Sequence, residues 1–503
     1  MNSYHSTRSR AVSCTAKEAI RTGIAPDGGL FVSDALGSEK LDVTGLAEQS
    51  YADIANSVLQ LLLPDYTADE IAACVHEAYD GTFASSEVTP LVPLVGHEAE
   101  EGRQPFVLEL FHGPTSAFKD VALQMLPRLM ARTGSASDTP AESIMIVTAT
   151  SGDTGKAALA GFADAPGTGI TVFYPEGKVS RVQELQMLTQ KGANTSVVGI
   201  EGNFDDAQTG VKKIFGDKEF AKELDRMGFQ LSSANSINIG RLVPQVVYYV
   251  YAYAKLLANG EIEKNEKVNV VVPTGNFGNI LAAYFAKQMG VPFGKLICAS
   301  NDNKVLYDFF RTGTYDKNRE FILTTSPSMD ILVSSNLERL LYLSCGRDAA
   351  KTKAMMEQLS TNGKYEITAD MKEFMKDFCA GYADMEENAK EIRKVFDDTG
   401  YLIDTHTGVA AAVYEQYKAK TGDTTKTVIA STASPYKFSR SVMEAVLGKK
   451  EDADEFALID EMERISGVKI PQAIEEIRDA KILHNRQCKP EEMEETVKQT
   501  FSK

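Results

Sequence analysis

The chain has 503 residues, too many for one hydrophobic core, so two or more domains are expected. With 43% apolar and 24% charged residues it has the composition of an ordinary globular protein, and 53 basic against 70 acidic residues give a net charge of −17. That acidity speaks against nucleic-acid and anionic-membrane partners, so any anionic substrate needs basic groups gathered locally.

The first residues, 1–14, carry arginines and serines as a transit peptide does. No apolar run follows, however, and Glu18 breaks the basic stretch, so a cytoplasmic protein is expected. The six cysteines form no CxxC pair and the six histidines no HExxH pair, which fits a reducing compartment and no metal. Residues 1–100 read as a mixed α/β region, with a turn at Ala25–Gly29, a strand over Leu30-Phe31-Val32 and a helix from Tyr51 to Leu63 closed by Pro64.

From about residue 106, β-rich runs alternate with helices: 106–111, 143–150, 170–175, 268–275, 296–300 and 427–432. Several are apolar throughout, as parallel strands covered on both faces are, and the expected class is α/β with doubly wound sheets. The apolar stretch Val243 to Ala258 is interrupted by Pro244, Gln245 and Lys255 and reads as a buried helix, not a membrane span. Segments 364–398 and 451–500 are charged and amphipathic, which predicts peripheral helices.

Three strand ends run into polar loops, where open α/β sheets bind ligands. Pro273-Thr274-Gly275-Asn276-Phe277-Gly278-Asn279 leads from an apolar strand into a helix. Its glycines and the helix start suit a phosphate, although a plain capped turn has the same look. The turn from Thr148 through Thr150, Ser151, Gly152, Asp153 and Thr154 to Lys156 is not a P-loop. Thr150 stands where the first Walker glycine belongs, and Ala157 where a magnesium-binding hydroxyl belongs. Its hydroxyls and N–H groups suit a carboxylate, or simply cap a helix. In His112-Gly113-Pro114-Thr115-Ser116-Ala117-Phe118-Lys119-Asp120, a lysine beside Phe118 could be desolvated and nucleophilic, or merely exposed.

Together these segments resemble the threonine synthase family, a member of the fold type II pyridoxal-phosphate enzymes. The resemblance runs in order through STR at 6–8, APDGGLFV at 25–32, FHGPTSAFKD at 111–120, TATSGDTGKAA at 148–158 and YPEGKVS at 174–180 with the QELQM after it. It continues in SANSINIGRLVPQ at 233–245, PTGNFGN at 273–279, SPSMDILVSSNLERLL at 326–341 and STASPYKF at 431–438. The extensions at both ends look like the larger subgroup of that family. Two departures are Ser434, where several relatives have histidine, and Ser9, where a glycine is common. The first puts in doubt any histidine beside the cofactor.

The resemblance implies a tryptophan-synthase-β-like fold of two doubly wound α/β domains. The implied limits are 101–147 with 246–450 for a large cofactor domain, with a helical insertion near 345–400, and 148–245 for a small domain. A helical extension would fill 451–503. It also implies pyridoxal 5′-phosphate held by Lys119 as a Schiff base. Gly275, Asn276, Phe277, Gly278 and Asn279 would bind its phosphate, Thr432 its pyridine nitrogen, and Asp153 would face its ring. Thr150, Ser151, Gly152 and Thr154 would bind the substrate carboxylate, and Lys178, Asn238 and Arg241 the substrate phosphate. The implied reaction converts O-phospho-L-homoserine and water into L-threonine and phosphate, in a monomer or homodimer. The alternatives are a threonine dehydratase or cysteine synthase of the same fold, and a silent relative that senses a phosphorylated amino acid.

Overall fold

Several helices begin where the sequence supplies caps. Ser50 with Asp53 and Thr67 with Glu70 form capping boxes that start the helices Tyr51–Leu62 and Ala68–Tyr79. The computed structural model describes residues 3–96, 104–134, 143–150, 152–202 and 204–501. Each of the six anticipated β-rich runs contains a strand, and these strands fall into two separate sheets.

The larger sheet has the order Phe378–Tyr382, Phe293–Ser300, Val268–Pro273, Thr427–Ser431, Phe106–Glu109, Leu91–Pro93. All neighbours are parallel except the last pair. The smaller sheet is parallel throughout, in the order Arg486–Cys488, Thr195–Ile200, Thr168–Pro175, Ser143–Ala149, Phe229–Ser232. Helices cover both, as their apolar strands require.

Two expectations need correcting. The limit between residues 147 and 148 cuts the strand Ser143–Ala149, all of which belongs to the smaller sheet. The stretch 451–503 is not helical alone. It sends Arg486–Cys488 to the edge of the smaller sheet, and its last helix, Met493–Phe501, buries Met493 and Val497 against that sheet's core.

The helix Ile239–Ala258 is buried almost throughout and packs against the helices Gly278–Gln288, Lys119–Ala131 and Tyr51–Leu62. Among the described residues no helix is long and apolar enough to cross a membrane. The segment STR proves to be a clamp. The Thr7 hydroxyl donates to Glu338 at 2.5 Å, and Arg8 grips both oxygens of the same carboxylate at 2.8 and 2.7 Å. The neighbouring Arg339, fully buried, donates to the carbonyls of Phe31 and Ile237. The motif NLER thus ties the N-terminal region to the body of the molecule.

Candidate active site

Lys119 opens the helix Lys119–Ala131, after a loop in which Ser116 takes the left-handed conformation at φ 60°. Asp120 pins that loop by accepting the Thr115 N–H at 2.8 Å and its hydroxyl at 2.6 Å. A Cβ on Gly113 would lie 2.4 Å from the Cβ of Asp120, so glycine is what lets the loop fold over its own helix start. The Phe118 N–H donates to the Thr432 carbonyl at 2.8 Å and the Ser434 N–H to the Ser116 carbonyl at 3.0 Å. Thr432 and Lys119, far apart in sequence, are therefore neighbours. The Ser434 hydroxyl caps the short turn Pro435–Phe438.

The Lys119 amine is buried, 3.5 Å from Asp153 Oδ2 and 3.2 Å from the Ser328 hydroxyl. Burial pushes its pKa below the ordinary lysine value; Asp153 opposes the shift, while Arg241 and Lys437 add to it. The shift makes the neutral, nucleophilic form easier to reach than it is for an exposed lysine. Asp153 heads the helix Asp153–Phe162. Burial works to protonate its carboxyl, but Lys437 and then Lys119 prevail and hold it well below the usual carboxylate range.

Lys437 is fully buried, with its amine 3.0 Å from Asp153 Oδ1 and within hydrogen-bond reach of the Thr115 carbonyl and Gln186. Gln183 donates to Asp153 Oδ1 at 2.9 Å. Lys437, Gln183 and Gln186 lie within the quoted motifs, yet no local pattern marks them as site residues. Ser328 and His406 were also missed. His406, buried at the start of the helix Thr405–Thr421, accepts the Ser328 N–H through Nε2 at 3.2 Å.

The loop after Val268–Pro273 has the form of an anion cradle. The Gly275 carbonyl accepts the Ser334 hydroxyl at 2.7 Å, and the Asn276 carbonyl accepts the N–H and side-chain amide of Asn336 at 3.0 and 3.1 Å. Their carbonyls are thereby turned onto 334–336. The N–H groups of Gly275, Asn276 and Phe277 have no acceptor among the described residues. Phe277 sits at φ 64° immediately before the helix Gly278–Gln288. A Cβ on Gly275 would lie 2.5 Å from the Ser328 carbonyl oxygen. Asn279 accepts the Tyr249 hydroxyl, while its buried amide nitrogen has no partner. These free donors at a helix start fit a phosphate group.

The remaining anticipated residues divide. Thr150 accepts the N–H groups of Gly152 and Gly155 at 3.0 and 2.8 Å, which shapes the loop before Asp153. A Cβ on Gly152 would meet Gln183 at 2.5 Å, and Thr154 lies half-buried in the first helical turn. Ser151 lies outside the described residues. Asn238 uses both amide hydrogens on the carbonyls of Ile20 and Ser233 and caps Gly240 with its oxygen, which leaves it no donor for a substrate. Lys178 stands exposed on the turn after Thr168–Pro175. Arg241 is buried, donates through Nη1 to the Ala234 carbonyl and has no partner at Nε. Burial lowers its pKa to about 10.

Fold and site together define a pyridoxal-phosphate enzyme, and the family model described as pyridoxal-phosphate dependent enzyme matches residues 84–433. Models described as threonine synthase N terminus and threonine synthase, C-terminal, match 3–79 and 407–484. The threonine synthase of Saccharomyces cerevisiae is 36% identical over 513 residues, covering 96% of each chain. Threonine synthase-like 1 of Homo sapiens is 40% identical over 442 residues, 85% of this chain. The match spans 58% of that relative's length. The crystal structure of pyridoxal-phosphate-bound threonine synthase from Brucella melitensis superposes with a TM-score of 0.86, at 36% identity and 100% coverage of both chains. The chain belongs to the threonine synthase family.

Proposed function

We propose that this protein is a threonine synthase, converting O-phospho-L-homoserine and water into L-threonine and phosphate. The observation that carries the reading is the buried amine of Lys119 beside a loop of unpaired N–H groups at a helix start. When bound, pyridoxal phosphate supplies an electron sink for negative charge developing on the substrate carbons. The residues that would hold it are Lys119 covalently, Gly275 to Asn279 at its phosphate and the Thr432 hydroxyl at its pyridine nitrogen, with Asp153 facing its ring.

The chain's own groups then have distinct tasks. Lys119, freed by the substrate's amine, moves the proton at Cα as a general base. Asp153, ionised and anchored by Lys437, keeps that amine within reach. The helix start with Thr150, Ser151, Gly152 and Thr154 binds the substrate carboxylate. Arg241, a buried cation with no carboxylate partner among the described residues, suits the substrate phosphate, and Lys178 is a second, exposed cation for it. The two sheets act as lobes that close over the substrate and exclude water until it adds at Cβ. The small soluble substrate needs neither nucleic acid nor membrane. The six free cysteines agree with a cytoplasmic setting, and the working unit is a monomer or homodimer.

The test is phosphate and threonine production from O-phospho-L-homoserine by wild type and Lys119→Ala. Equal amounts of both products from wild type, and none from the variant, are expected. Phosphate without threonine would instead indicate an elimination enzyme of the same fold. Cofactor binding without turnover would indicate a sensor.

A further inference from the structure

Ser328 is the residue at which the parts of the site meet. Its hydroxyl lies 3.2 Å from the Lys119 amine and 3.4 Å from Asp153 Oδ2. Its carbonyl fills the space that a Cβ on Gly275 would need, so the turn Pro327–Met329 packs directly on the anion cradle. Its N–H donates to His406 Nε2 at 3.2 Å. The position of this short turn sets both the surroundings of the lysine and the shape of the phosphate loop.

His406 is itself held in one orientation. Because Nε2 accepts a backbone N–H, the ring hydrogen of the neutral imidazole is on Nδ1, and it donates to Asp404 Oδ2 at 2.7 Å. Asp404 is fully buried and also accepts the N–H groups of His406 and Thr407 at 2.9 and 3.0 Å, as the cap of the helix Thr405–Thr421. The Thr407 hydroxyl, which also meets Asp404, lies 3.0 Å from the hydroxyl of Ser431, next to Thr432. Phe438 packs edge-on against the imidazole at 4.9 Å.

We propose that His406 is a positioning residue, whose Nε2 holds the turn Pro327–Met329 against Lys119 and Gly275 so that the cofactor pocket is formed before the cofactor arrives. The Asp404–His406–Ser328 chain joins three surroundings of the cofactor through one imidazole: the lysine, the phosphate loop and the strand end carrying Thr432. A side chain that accepts at the Nε2 position suffices for this task, and one that reaches only the Nδ1 position does not.

The inference rests on the cofactor reading above, and the two fail separately. Pyridoxal-phosphate binding by wild type, measured by equilibrium dialysis, tests the reading, whereas a pair of variants tests the brace. His406→Gln places an amide oxygen where Nε2 stands, and Asp404 retains its other donors. His406→Asn reaches Asp404 but leaves the Ser328 N–H without an acceptor.

In His406→Asn the cofactor dissociation constant should rise roughly tenfold, as expected when a hydrogen-bond donor loses its partner. Trapping of the Lys119 amine by pyridoxal phosphate and borohydride, read by mass spectrometry, should slow with it. His406→Gln should stay within about twofold of wild type in both. Equal losses in the two variants, or no loss in either, would overturn the proposal. A His406→Gln protein that does not fold would count against it as well, since glutamine must be able to replace the imidazole.

Discussion

Lys119 and Asp153 form a pair whose members are shifted by different causes. The lysine is moved mainly by burial; the aspartate resists burial because two ammonium groups face it. The labelling of Lys119 in the cofactor-free protein should therefore rise with pH about a midpoint below the ordinary lysine value of about 10.4. Asp153 is the partner that raises the lysine's pKa, so in Asp153→Asn the midpoint should move to lower pH still. Labelling at stepped pH values checks this, and a midpoint that moved upward would show that Asp153 does not act on the amine as described. His406 shows the limit of reading such a site from residues alone. The departure at Ser434 cast doubt on a histidine beside the cofactor, yet the fold brings one to Ser328 from another helix. Nothing in DTHTG marks it, because its partner lies 78 residues away in the chain.

The elements were legible where the local pattern matched a single environment. Runs such as VNVVV and SIMIV, apolar on both faces, became central strands, and the buried helix Ile239–Ala258 began a turn before its expected start. Phe378–Tyr382 was hidden within a charged segment expected to be helical, and Arg486–Cys488 has three residues and no alternation. Both are edge strands, with a neighbour on one side only, so their sequences carry half the usual signal. The cradle loop was legible as glycine-rich, but its clamp by residues 334–336 was not, since that contact is made across the fold. Adding a methyl group in Gly275→Ala should force the Pro327–Met329 turn outward at a cost of about 1–3 kcal/mol. Cofactor affinity should fall by tenfold or more in consequence. Dialysis checks this, and unchanged affinity would mean that the loop does not hold the phosphate.

On the scale of the whole molecule, an acidic protein of net charge −17 buries Lys119 and Lys437 against Asp153, and the buried Arg241 is near enough to act on Lys119. Positive charge is thus gathered inside a protein whose overall charge is negative. The two sheets are joined at this point by the Lys437–Asp153 pair and again by the C-terminal stretch, which crosses from the helix Glu455–Ser466 to the edge of the smaller sheet. Ending the chain after Asp479 should uncover the edge of Thr195–Ile200 and the apolar surface beneath Met493 and Val497. The expected outcome is a lower thermal midpoint with aggregation that grows with concentration, followed by scanning fluorimetry and light scattering. A midpoint equal to that of the full chain would show the tail to be dispensable.

That late edge strand also sets an order of events during synthesis. Domains made early on the ribosome ordinarily fold as they emerge. Here the strands Ser143–Ala149, Thr168–Pro175 and Thr195–Ile200 are translated long before the strand that closes their sheet. The nascent protein must carry the edge of Thr195–Ile200 unpaired until residues 486–488 have been made, well after Lys437 has completed the surroundings of Lys119.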